Sequence, residues 1–104
     1  MKVAIAARGD RAESLIDQRF GRCAYFAIYD TEADRLAFVP NTAKDASEGA
    51  GPAAVALIAK EGVGKIISGE FGFKIKSMLN DLKIQMVIIK DDKTIAELVA
   101  QLKA

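Results

Sequence analysis

The chain has no histidine among its 104 residues. That removes the commonest general base of neutral-pH chemistry and many metal sites with it. Cysteine occurs once, at position 23, so no internal disulfide can form, and a reducing, cytoplasmic setting is expected. Neither sign of charge is in excess. Fifteen Lys and Arg stand against 14 Asp and Glu, a net charge of +1. Nucleic acid is therefore not an expected partner, because a broad footprint on it needs a strongly basic face. No apolar run approaches the length that crosses a bilayer, so no membrane association is expected. Val3 to Ala7 is followed at once by Arg8 and Asp10, which is too short for a signal-peptide core and reads as a strand. Enzymatic groups are scarce too. Ser14, Ser47, Ser68 and Ser77 have no evident base to activate them. The first strand also carries none of the carboxylates that a two-metal nuclease would place there.

What remains is a composition that folds. At 51 % hydrophobic and 28 % charged, residues 1–104 form one expected domain, large enough to bury a core without staples. Val3 to Ala7 is continuously apolar, as in a central strand buried on both faces. Leu15 and Ile16 are the large apolar residues of an otherwise polar loop and would pin it to the core. Ala24 to Tyr29 and Arg35 to Val39 read as strands joined by the polar turn Asp30 to Asp34, an antiparallel hairpin. Thr42 to Glu48 is polar and reads as a mobile loop. A helix follows, with Pro52 at its first position, Ala54, Leu57 and Ile58 on one face, and Gly62 as its stop. Gly64 to Ser68 is a strand. A second helix spans Phe73 to Leu82, with Ile75, Met78, Leu79 and Leu82 on one face. Ile84 to Ile89 is the fifth strand. Thr94 and Glu97 form a capping box that opens a last helix, whose inner face is Ile95, Leu98, Val99 and Leu102. The order β-β-β-α-β-α-β-α gives an α/β protein with a mixed five-stranded sheet and helices on both faces, in three layers.

The chemistry concentrates in Asp17-Gln18-Arg19-Phe20-Gly21-Arg22-Cys23-Ala24-Tyr25-Phe26. In open α/β sheets ligands sit beyond the carboxyl ends of the parallel strands. The loop from Arg8 to Cys23, the helix entry Gly49-Ala50-Gly51 and the loop Gly69-Glu70-Phe71-Gly72 should gather there. Two helix N-termini, with Arg19 and Arg22, would favour an anion. Cys23 could supply a thiolate to a soft metal, or be a small buried hydrophobe. Arg19 and Arg22 either bind a ligand or pair with Asp17 and Glu70. Gly49, Gly51, Gly69 and Gly72 either let backbone amides approach a ligand or only shape turns. The Gly49 run is not G-x-G-x-x-G and lacks the Lys-Ser/Thr end of a P-loop, so a nucleotide site has little support. Met78 and Met86 read as core packing, Lys74 and Lys76 as solvated, and Asp30, Glu32 and Asp34 as a hairpin turn.

Arg19-Phe20-Gly21-Arg22, then Ala24-Tyr25-Phe26 and Tyr29-Asp30, together with the Gly49-Ala50-Gly51 helix entry and Ile66-Ile67-Ser68-Gly69 before Gly72, resemble the dinitrogenase iron–molybdenum cofactor biosynthesis family. The resemblance runs along essentially the whole chain. It implies a ribonuclease-H-like motif without nuclease activity. It also implies binding, carriage or scaffolding of an anionic metal–sulfur cluster containing iron, molybdenum or copper. The chain departs from the family pattern in having no histidine, in carrying Cys23 where a small residue or proline is common, and in having Phe73 and Lys74 after Gly72.

The expected function is thus a non-catalytic cluster carrier. Arg19, Arg22 and the amides near Gly51 and Gly72 would hold the anion, with Cys23 as metal ligand or lid. Its partners would be cluster donor or acceptor proteins, and the chain would be a monomer or weak dimer. The alternative is a protein-interaction or regulatory module that keeps the fold without a cluster.

Overall fold

A computed structural model describes residues 1–103. The strands are β1 (Lys2–Ala7), β2 (Tyr25–Asp30), β3 (Arg35–Pro40), β4 (Val63–Ser68) and β5 (Gln85–Ile88). The helices are α1 (Ala50–Lys60), α2 (Phe73–Asp81) and α3 (Ile95–Lys103), in the order β1-β2-β3-α1-β4-α2-β5-α3. They build a sheet ordered β3-β2-β1-β4-β5. β1 pairs antiparallel with β2 and parallel with β4, β2 pairs antiparallel with β3, and β4 pairs parallel with β5. This mixed sheet is the α/β arrangement expected, in the strand order of the ribonuclease-H-like motif.

The two-residue period of β1 explains the layering. Ala4 and Ala6 face one core, with Phe26, Ile28 and Ile66 of the sheet and Ala54, Val55, Ile58, Ile75 and Leu79 of α1 and α2. Val3, Ile5 and Ala7 face the other, with Ala27, Tyr29 and Ile67 of the sheet and Ile95, Leu98 and Val99 of α3. A strand sandwiched in this way must be apolar at every position, which is why Val3–Ala7 shows no alternation.

The local signals act as physical chemistry requires. Gly62 takes φ 76°, the left-handed conformation that ends α1. The backbone N–H of Thr94 donates to Glu97 Oε1 at 2.9 Å, and the N–H of Glu97 donates to Thr94 Oγ1 at 3.1 Å, closing the capping box of α3. In the hairpin turn, Asp30 Oδ1 accepts the N–H of Glu32 and of Ala33 (3.0 and 3.2 Å), and these donors hold its carboxyl below the usual range. Two details differ from expectation. α1 begins at Ala50 rather than Pro52, so the proline is the third helical residue. It is tolerated because N–H groups throughout the first turn lack intrahelical partners. Leu82, expected on the inner face of α2, lies beyond the helix end and is 51 % exposed.

Candidate functional site

The loop between β1 and β2 is laid across the ends of three elements by backbone pairing. Ile16 bridges Ala7 at the end of β1, Leu15 bridges Thr94 before α3, and Arg19 bridges Glu70 after β4. Ile16 is fully buried, so this loop is pinned by an apolar anchor as well as by hydrogen bonds. A second anchor follows. Phe20 is buried against Phe26 and Phe71, with ring centroids 5.5 and 5.6 Å apart. With Phe20 turned inward, Arg19 and Arg22 on either side of it are left at the surface.

The loop after β3 is held to the same place. Asn41 is 3 % exposed, and its Nδ2 donates to the carbonyls of Gly21 (3.0 Å) and Cys23 (2.9 Å) while its Oδ1 accepts the N–H of Ala43 (3.2 Å). Arg22 Nη1 donates to the carbonyls of Lys44 (2.9 Å) and Ala46 (2.6 Å). Lys44 is thereby carried to the arginines, and the segment expected to be loose is tied down at several points.

Together these loops enclose an open cleft of about 530 Å³ lined by Arg8, Asp17, Gln18, Arg19, Arg22, Ala24 and Lys44. Four cationic side chains meet one lining carboxylate there, and one of the four, Lys44, has its Nζ 3.3 Å from Asp45 Oδ2. Asp17 is 5 % exposed. Its Oδ1 accepts the N–H of Arg19 at 2.9 Å and lies 3.5 Å from Arg19 Nε. Arg8 and Arg22 form no ion pair among the described residues. The cleft lies beyond the carboxyl ends of the parallel strands β1 and β4, where α/β sheets bind ligands.

Of the residues singled out in the sequence, Arg19 and Arg22 are brought together here and the rest are not. Cys23, read as a ligand or a core residue, is fully buried in the core beneath α1 and α2. Its Sγ–H donates to the Phe20 carbonyl at 3.3 Å. Burial, with the charge of Asp17 adding to it, pushes the thiol up to about 12, so the thiolate a metal requires is disfavoured. Gly49 caps α1 at φ 73°, and Gly72 caps α2 in extended conformation. Gly51 lets the helices approach, since a Cβ there would stand 2.6 Å from Ile75 Cδ1. Gly69 admits Gln18 against its own backbone. None of these four glycines lines the cleft. No group of three or more His, Cys, Asp or Glu that could hold a metal ion occurs among the described residues. The cleft therefore suits an anion held by charge and hydrogen bonds, and does not suit a metal bound directly by protein sulfur.

Arg8, Gln18 and Lys44 were not singled out as ligand residues. Arg8 could have been found, because a cation directly after a buried strand sits at its carboxyl end. Lys44 left no such signal, since a side chain from another loop holds it by its own carbonyl.

The family described as dinitrogenase iron-molybdenum cofactor matches the chain over residues 1–104. The apo form of the orange protein from Desulfovibrio gigas superposes with a TM-score of 0.90 at 30 % identity, covering 96 % of this chain and 84 % of that one. A putative NifB protein from Thermotoga superposes with a TM-score of 0.82 at 31 % identity, covering 95 % of this chain and 84 % of that one. No curated protein sequence matches the chain.

Proposed function

Because the chain belongs to the dinitrogenase iron-molybdenum cofactor family, we propose that it binds and carries an anionic metal–sulfur cluster as cargo in the cleft between the β1–β2 and β3–α1 loops. The observation that carries this reading is the convergence of Arg8, Arg19, Arg22 and Lys44 on one concavity of a protein whose net charge is only +1. Arg22 and Arg19 would contact the sulfide or oxide surface of the cluster, and Arg8 and Lys44 would complete the charge. Guanidinium groups are well matched to such a task, because they present several fixed donors and stay charged at every relevant pH. Cargo held in this way must arrive with its metals' coordination already complete, from its own sulfides and any terminal ligands it carries. A molybdenum–sulfide species meets that condition with sulfide alone, and an iron–molybdenum cofactor-like or iron–sulfur species meets it with terminal ligands of its own. The protein's part is to bind and release, with no catalytic group engaged, and its partners are the proteins that supply and receive the cluster.

The test is gel filtration under strict anaerobiosis of the apo protein mixed with tetrathiomolybdate or an iron–sulfide cluster. Iron and molybdenum are assayed across the protein peak. The expected result is metal moving with the protein at a fixed ratio, lost in the double variant Arg19→Ala/Arg22→Ala and kept in Cys23→Ser. Metal eluting only with small molecules would reject the carrier reading and favour a protein-interaction module, a reading consistent with the burial of the sole thiol. Loss of metal in Cys23→Ser with the fold intact would return Cys23 to the site.

A further inference from the structure

An anion carrier gains nothing evident from a buried carboxylate in its binding cleft, yet Asp17 lines this one. Its main chain is fixed on both sides. The Asp17 N–H donates to the Ala6 carbonyl at 2.8 Å, and Ser68 Oγ donates to the Asp17 carbonyl at 3.4 Å. The side chain, 8 % exposed, cannot swing out to water. Arg19, by contrast, is 63 % exposed in its side chain, and its Nε reaches Asp17 Oδ1 only at 3.5 Å. A long pair with one mobile, solvated partner is weak and readily exchanged. The carboxylate stays and the guanidinium moves.

We propose that Asp17 is a positioning residue that competes with the cargo for Arg19, and that this competition keeps the grip of the cleft loose enough for hand-over. The inference rests on the carrier reading above. With the cleft empty, Arg19 rests on Asp17. An arriving cluster draws Arg19 away by offering more negative charge than one carboxylate, and on departure Asp17 takes Arg19 back. The cleft then discriminates by charge, since a singly charged anion offers Arg19 no more than Asp17 already does. The field of Asp17 is felt by its other neighbour too, because it adds to burial in raising the Cys23 thiol.

A purely local role is the competing account, since Asp17 Oδ1 also accepts the Arg19 N–H at 2.9 Å. Asparagine keeps that acceptor and removes the charge. The experiment titrates the wild-type full chain, Asp17→Asn, Arg19→Ala and the double variant with tetrathiomolybdate, a dianion, under anaerobiosis at low and high salt. Thermal unfolding is measured alongside. Asp17→Asn should bind about two- to fivefold tighter at low salt, the range a weak, half-solvated ion pair can withhold, with the gap closing as salt screens the charge. The gain should be largely absent when Arg19 is already alanine. Unchanged or weaker binding by a folded Asp17→Asn protein overturns the inference while leaving the carrier reading standing, and so does a full gain in the Arg19→Ala background. Absence of binding by wild type and variant alike overturns both. Should Asp17→Asn fail to fold, Asp17→Ser, whose hydroxyl also accepts from the Arg19 N–H, takes its place under the same criteria.

Discussion

Gly69 is a residue whose identity is set by a neighbour. A Cβ there would collide with Gln18 Oε1 and, less avoidably, stand 2.7 Å from the Gln18 Cα. Backbone cannot rotate aside as a side-chain tip can. Gly69→Ala should therefore cost about 1–3 kcal/mol, the usual range for overpacking, measured by denaturant unfolding. It should also push Gln18 and Arg19 out of register with the cleft. Cys23 gives a second residue-scale expectation. Its thiol is pushed from an ordinary value of 9.0 to about 12 by burial, so the folded state holds its proton where the unfolded state releases it. Stability from this source is complete below pH 9 and is lost as pH rises from 9 towards 12, at about 1.4 kcal/mol per pH unit. Alkaline unfolding should be shallower in Cys23→Ala than in the wild type over that window. Equal slopes would mean that the thiol ionises in the fold. The lone cysteine stood out in the sequence, but its direction did not. Cys23 falls just before β2, where the alternation that assigns sides to strand residues has not begun.

At the scale of elements, the decisive contact is between two loops. Arg22 reaches across to the carbonyls of Lys44 and Ala46, and its removal should free the segment that Asn41 anchors at the near end only. Arg22→Ala should be cleaved by trypsin after Lys44 several times faster than the wild type, with the cut after position 22 lost and cleavage at the remaining sites unchanged. An unaltered rate of cutting after Lys44 would show that Asn41 alone fixes the loop. The strands and helices themselves were legible because each carries its own period. Val3–Ala7 is apolar throughout, α2 repeats Ile75, Met78 and Leu79, and Thr94 with Glu97 marks where α3 starts. Loops carry no period. Thr42 to Glu48 therefore read as slack chain, although Arg22 donates to two of its carbonyls, an interaction written in backbone oxygens that every residue possesses.

Over the whole molecule the charges nearly cancel, yet they are not evenly spread. The total of +1 conceals four cations around one carboxylate at the carboxyl ends of β1 and β4. Attraction of an anion to such a site decays over about 10 Å at 0.1 M salt. Affinity for tetrathiomolybdate should accordingly fall as ionic strength rises, and the slope should flatten in Arg8→Ala or Lys44→Ala. A salt-independent affinity would point to apolar rather than ionic capture. The family signature marked two of the four cations, Arg19 and Arg22. The others required the topology, which alone shows that Arg8 and Lys44, far apart in sequence, end on one concavity. That topology also fixes an order of assembly. β1 is central, held by β2 on one edge and by β4 on the other. During synthesis the β1–β2–β3 meander can pair as soon as it emerges, but the second edge of β1 must wait for Val63–Ser68. At ribosomal speeds that wait is on the order of seconds. Throughout it, a strand apolar from Val3 to Ala7 shows unpaired amides and carbonyls to every neighbouring nascent chain, the condition under which strands join the wrong partner.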